Sequence, residues 1–193
     1  MTTLVVVRKN NTVAIAGDSQ STFGDTRLGA SDDCASNKIF QISDAWLGIS
    51  GSAAHDLVLQ AALKKYKKAK FDSRVAIFET FRGLHPILKE QFYLKPDEEE
   101  DDPYESSQMT VLLASPGGIF GVYSMREVYA FEKFWAIGSG RDFAIGAMHA
   151  VWDQYDNPAD IARIGVEAGC QFDINSSLPM TLYTLPMAQP SGE

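Results

Sequence analysis

The sequence predicts an α+β fold, a four-layer αββα sandwich, and three observations carry that prediction. Strand-like segments are grouped rather than alternated with helices: the order is strands, two helices, strands, two helices, one last strand. The first of them, Leu4-Val5-Val6-Val7, is apolar on both faces and needs cover above and below. No internal repeat and no linker-like stretch divides the 193 residues, a length that one core can fill. The expected arrangement is two mostly antiparallel sheets face to face, helices outside them, and one domain over residues 1–193.

Residues 4–7 and 12–16 flank Arg8-Lys9-Asn10-Asn11 and read as a hairpin. Residues 17–37 are rich in Gly, Ser, Thr and Asp and read as a long functional loop. Residues 38–42 and 45–49 are two short strands. From Ser52 the period changes, with Ala54, Leu57, Val58, Ala61 and Leu63 marking the expected inner face of a helix. Lys64, Lys65, Lys67, Lys68 and Lys70 crowd its end, where cations suit the helix dipole, and read as a solvated terminus. A second helix is predicted over residues 74–92, with Ile77, Phe81, Leu84 and Leu88 on one face and Pro86 predicting a kink or a break.

An acidic, solubilising loop inserted near residues 95–106 follows. Strands return at 109–114, 119–123, 128–131 and 135–137. Gly138-Ser139-Gly140 then opens a helix carrying Phe143, Ala144, Ala147 and Val151. Asn157-Pro158 reads as an N-cap with proline at the first helical position, ahead of Ile161, Ile164 and Ala168. Residues 180–185 form the last strand.

A net charge of −8 argues against nucleic acid or an anionic membrane as the main partner, since both select basic surface. Cys34 and Cys170 form no CxxC pair and suit a reducing compartment. His55, His85 and His149 lack metal-ligand spacing, so no metal or other cofactor is expected. The first residues lack the pattern of a signal peptide and no stretch reads as a membrane span, which points to a cytoplasmic protein.

The chemistry is read from Met1-Thr2-Thr3. A small residue after Met permits removal of Met1, leaving Thr2 with a hydroxyl nucleophile and an α-amine on one residue. Such an amine has a pKa of roughly 7.7–8.0 and can take the hydroxyl proton. The site then needs a cation, a carboxylate to orient it, and backbone N–H groups for an oxyanion. Asp18 after the second strand, Lys38 before the third, the small-residue turn 48–54, Gly138-Ser139-Gly140, and Asp173 with Ser176 are the candidates. Each feature is common alone; their order and spacing carry the weight.

The stretches TTLVVVRKNNTVAIAGDSQSTFGDT, NKIFQI, WLGISGSAAHD, FWAIGSG and DINSSLPMTLYTL resemble the proteasome β-subunit and HslV-like family of N-terminal threonine peptidases along nearly the whole chain. A loose match to HslV suggests a bacterial proteasome homologue distinct from it. The resemblance implies the N-terminal-nucleophile hydrolase fold. It implies Thr2 as nucleophile with its amine as base, Lys38 as the cation and Asp18 as its holder. Ser139 and Asp173 would fix the amine, with Ser176 in support. The Gly51 N–H would serve the oxyanion; Thr22, Gly51 and Ala53 would hold substrate as an added strand; Ser21, Ile49 and Ala53 would line the side-chain pocket.

The resemblance further implies a homo-oligomer of stacked six- or seven-membered rings, unfolded polypeptide substrates and an ATPase unfoldase partner. An inert ring protein, or an amidase acting on small amides, stands as the alternative. Three departures stand out: extra residues in Gly29–Lys38, GISGSA where the family has adjacent glycines, and the acidic insertion. A shorter alignment puts Cys170 in the place of Asp173; the D-x-x-S spacing and the following LYTL favour Asp173.

Overall fold

β1 (Thr3–Lys9) and β2 (Thr12–Gly17) form the expected hairpin in the computed structural model, which describes residues 2–96 and 102–188. Lys9 pairs with Thr12, and the two turn residues Asn10 and Asn11 both have positive φ, 50° and 59°, a conformation Asn tolerates. β10 (Phe134–Gly138) pairs with the other edge of β1, and β11 (Thr181–Pro186) with the other edge of β2, giving a four-stranded antiparallel sheet in the order β10-β1-β2-β11. β5 (Ile39–Ile42), β6 (Ala45–Ser50), β7 (Thr110–Ser115), β8 (Gly118–Val122) and β9 (Val128–Phe131) form a five-stranded antiparallel sheet in chain order.

Three buried clusters define four layers. Leu4, Val6, Val13 and Ile15 meet Ile39, Leu112 and Ile119 between the sheets. Val5, Val7, Ala14 and Ala16 point the other way, against α3 (Arg141–Val151) and α4 (Pro158–Phe172). Leu47, Val111 and Leu113 lie under α1 (Ala54–Lys65) and α2 (Arg74–Phe92). The double-sided apolar pattern of β1 is thus explained: it is central in its sheet and sandwiched by both neighbouring layers. The sheets approach closely at Leu4, where a Cβ on Gly48 would come within 2.8 Å of its Cδ2. β6 therefore runs past the start of β1.

The structure differs from the sequence reading in two places. The segment read as loop contains a short hairpin, β3 (Ser21–Phe23) and β4 (Thr26–Leu28), turning at Gly24 (φ 57°) and Asp25. On α1 the buried residues are Leu59, Ala62 and Leu63, with Tyr66 packed beside them, while Leu57 is 74% exposed. Of the expected face, Leu63 is buried and Val58 packs against the same cluster, while Leu57 and Ala54 face out. The buried stripe is therefore rotated from the expected one and shares Val58 and Leu63 with it, and contact with the five-stranded sheet sets the rotation.

Pro86, read as a kink or a break, does not break α2, which is continuous over nineteen residues. Losing one N–H donor is offset by the buried row Ile77, Phe81, Leu84 and Leu88, and by the Ser73 cap on the Ala76 N–H. The Asn157 cap and Pro158 start of α4 form as read. The lysines at the end of α1 are exposed. Residues 97–101 of the acidic stretch lie outside the described residues.

Candidate active site

Two hydrogen-bonded groups meet at the start of β1. The first surrounds Thr2, which is 3% exposed. Its Oγ1 donates to Asp18 Oδ1 and accepts from Lys38 Nζ at 2.9 Å. Lys38 Nζ also donates to Asp18 Oδ1 at 2.7 Å. The β1–β2 register places Asp18 here, one residue past Gly17, with its own N–H on the Thr3 carbonyl at 3.1 Å. Lys38 arrives from the other sheet, one residue ahead of β5, where the Asn37 side chain caps the Ile39 N–H at 2.9 Å.

Asp18 is 1% exposed, and a buried carboxylate must be compensated. Beyond Thr2 and Lys38, its Oδ1 accepts from the Thr3 N–H at 3.0 Å, and its Oδ2 from the backbone N–H groups of Gln20 at 3.0 Å and Ser177 at 3.2 Å. Lys38 sits mostly buried, and burial lowers its ammonium pKa; the Asp18 charge and hydrogen bond offset that only in part. The site thus holds a lysine whose proton is more easily given up than in water, on the hydroxyl of Thr2.

The second group touches the Thr2 backbone through Ser139, whose Oγ lies 3.5 Å from the Thr2 carbonyl oxygen. Ser139 Oγ donates to Asp173 Oδ2 at 2.6 Å, and Ser176 Oγ to the same oxygen at 2.7 Å. The Asn175 N–H and amide reach Oδ1 at 3.3 and 3.4 Å. Gly138 lets β10 pass: it has φ 94°, and a Cβ there would strike the Thr2 carbonyl oxygen at 2.0 Å. The Gly140 N–H donates to that oxygen at 3.3 Å. Burial pushes the Asp173 carboxyl pKa up, but the hydroxyl and amide donors outweigh it and hold it below the ordinary value.

A carboxyl held low in the folded state contributes stability above its unfolded pKa, lost as pH falls through the folded pKa. The stability gap between the parent and Asp173→Asn is therefore expected to close only as pH drops below about 3.8. Denaturant unfolding at neutral and acid pH measures it; a gap that closes near neutrality would contradict the assignment of the low pKa to Asp173.

Cys170, the other alignment choice, lies on the last turn of α4, its thiol pushed up to about 12 by burial and then by the charge of Asp18. It is a neutral thiol, while Asp173 is the group that meets both serines.

The remaining expected residues lie on flanking elements. Ser21 and Thr22 are on β3, with Thr22 Oγ1 accepting from the Gln20 side chain at 3.3 Å. Gly51 follows β6 with φ 124° and open space where a Cβ would stand. Ala53 is the exposed N-cap of α1. Ile49 packs into the cluster beneath α1 at 9% exposure, so its side chain is largely covered within one chain. A cavity of about 620 Å³ opens beside Asp173, lined in part by Gln20, Arg27, Cys170, Phe172 and Ile174. Sequence reasoning missed Gln20 and Ser177, which act through backbone N–H groups that carry no residue-type signal. It also missed Thr3 and Asn175.

No family model matches the chain. It is 25% identical to the ATP-dependent protease subunit HslV of Caldicellulosiruptor saccharolyticus, over 95% of this chain and 98% of that one. It is also 25% identical to the proteasome subunit beta of Nanoarchaeum equitans, over 96% of this chain and 93% of that one. Among solved structures, Thiobacillus denitrificans BPH in complex with epoxomicin is 34% identical with a TM-score of 0.88, covering 97% of this chain and all of that one. Eukaryotic HslV from Trypanosoma brucei shares the fold at a TM-score of 0.65 and 24% identity, over 95% of this chain and 99% of that one.

Proposed function

Since this chain belongs to the proteasome β-subunit and HslV family of N-terminal threonine peptidases, we propose that it is a self-compartmentalising threonine endopeptidase with Thr2 as its nucleophile. The observation that carries the assignment is the buried Thr2 hydroxyl held between Asp18 and Lys38, with Ser139, which donates to Asp173, reaching the Thr2 carbonyl oxygen at 3.5 Å. Removal of Met1 frees the Thr2 amine. That amine takes the hydroxyl proton, Oγ1 adds to the scissile carbonyl carbon, and the tetrahedral oxyanion is met by the Gly51 N–H. The leaving amine carries off the proton, an ester remains on Thr2, and water hydrolyses it.

Lys38 stabilises the developing alkoxide, and Asp18 holds Lys38. Ser139, Asp173 and Ser176 orient the amine. Substrate adds as a strand along Thr22, Gly51 and Ala53, with Ser21, Ile49 and Ala53 lining the side-chain pocket. Removing Asp173 (Asp173→Ala) is expected to lower kcat by about 10²-fold or more, the usual worth of a positioned proton-transfer group. Steady-state kinetics on a fluorogenic peptide read it, and a change below about 3-fold would remove Asp173 from the machinery.

The same reading makes the assembly a homo-oligomer of stacked rings, six or seven subunits each, built by a heterologous contact that closes. Exposed apolar side chains on α1 and α4, Leu57 and Phe172, support burial against other copies. Substrates are unfolded polypeptides, delivered by an ATPase unfoldase, in the cytoplasm. Both cysteines are unpaired, and no helix among the described residues is long and apolar enough to cross a membrane. The experiment is degradation of an unfolded polypeptide by the purified assembly, with small acyl amides in parallel. Cleavage of the polypeptide supports the peptidase; turnover of amides alone gives an amidase, and neither gives an inert ring.

A further inference from the structure

Thr3 stands beside the proposed nucleophile with no role yet assigned to its side chain. Along β1, Thr3 faces the same way as Val5 and Val7, toward α4, and it is fully buried. Its Oγ1 lies 2.8 Å from Ser176 Oγ. The niche is built by two glycines: a Cβ on Gly140 would come within 2.0 Å of that oxygen, and one on Gly169 within 2.4 Å. Gly140 belongs to the turn that carries Ser139, and Gly169 to the last turn of α4, whose Asp173 N–H bonds the Gly169 carbonyl at 2.8 Å.

The direction of the bond follows from proton count. Asp173 is ionised at neutral pH and can only accept. The single hydroxyl proton of Ser176 is committed to Asp173 Oδ2 at 2.7 Å. Ser176 Oγ must then accept from Thr3, so the hydroxyls run in one direction: Thr3 to Ser176 to Asp173 Oδ2, with Ser139 donating to the same oxygen from the other side. Each donor polarises the next, and the chain strengthens its last bond.

We infer that Thr3 is a positioning residue, whose hydroxyl fixes Ser176 and through it the Asp173 carboxylate, the group that the peptidase reading assigns to the Thr2 amine. This rests on the peptidase reading for its catalytic consequence and on the hydrogen-bond chain alone for its structural one. The second of the two opening threonines thus serves the first.

Thr3→Val keeps the shape and removes the donor, and Thr3→Ser keeps the donor. The expected results are a fall of about 3- to 10-fold in kcat per epoxomicin-titrated site for Thr3→Val, with KM unchanged, and recovery in Thr3→Ser. The loss is expected to vanish when Thr3→Val is made in a Ser176→Ala background, because the path is already cut. Acid unfolding is expected to begin at higher pH in Thr3→Val and at the parent's pH in Thr3→Ser, since Asp173 loses support.

Parent-like kcat in Thr3→Val, or an undiminished loss in the Ser176→Ala background, overturns the inference. If the parent itself takes up no epoxomicin, the peptidase reading fails, and the acid transition alone decides the hydroxyl chain: an unmoved midpoint in Thr3→Val overturns it.

Discussion

Thr2→Ala is expected to abolish peptide hydrolysis, by at least about 10⁴-fold, while leaving the proposed assembly intact. The magnitude follows from losing the nucleophile of a group that works as a unit, where one deletion removes nearly all of the chemistry. Assembly is expected to survive because the Thr2 carbonyl, which holds the Gly140 N–H, belongs to the backbone and stays. The cavity left by two atoms is small, and Asp18 keeps Lys38 and its backbone donors. Thr2→Ser, which retains hydroxyl and amine, should recover measurable turnover. Hydrolysis by Thr2→Ala at parental rates, in material free of other proteases, would end the assignment.

Asp18→Asn is expected to cost both activity and stability. The carboxylate accepts on both oxygens: Thr2 Oγ1, Thr3 N–H and Lys38 Nζ on one, Gln20 and Ser177 N–H groups on the other. An amide has one acceptor and one donor end. Either its NH₂ faces Lys38 and Thr3 N–H, or it faces the two other backbone N–H groups, so one set of donors loses its acceptor in each orientation. Breaking a buried charge pair from one side typically costs about 3–5 kcal/mol.

Lys38 loses the charge that offsets its burial, so its pKa is lowered further and its positive charge is less well held beside Thr2. The expected outcome is a loss of kcat/KM of about 10³-fold or more, with a lowered denaturant midpoint. Normal turnover in Asp18→Asn would mean that the charge on Lys38 is dispensable.

How much of this was legible in the sequence depends on what each element owes to local chemistry. β1 was readable because four apolar residues in a row leave no polar face. The α4 start was readable because Asn and Pro each have one physical reason to be there. The strand ends bearing Asp18 and Lys38 were readable as residue types at junctions, though nothing local says that two sheets bring them within 2.7 Å.

The β3–β4 hairpin was missed within a polar stretch, yet Gly24-Asp25 between Phe23 and Thr26 is a recognised hairpin signal. The inward face of α1 was only partly decidable locally, since contact with the sheet sets its rotation. Gln20 and Ser177 contribute main-chain donors, which are invisible to any reading by residue type. Thr3 was hidden by position: one more β-branched residue at the head of a strand, until the glycines of two distant elements are seen to close around its hydroxyl.

The most direct test of the central claim is the intact mass of the purified chain before and after epoxomicin, an electrophile whose full adduct requires a threonine hydroxyl and a free amine on one residue. The account predicts loss of Met1 and one adduct per chain, absent from Thr2→Ala. A chain that begins at Thr2 and keeps its unmodified mass would contradict it, as would an adduct of the same mass on Thr2→Ala.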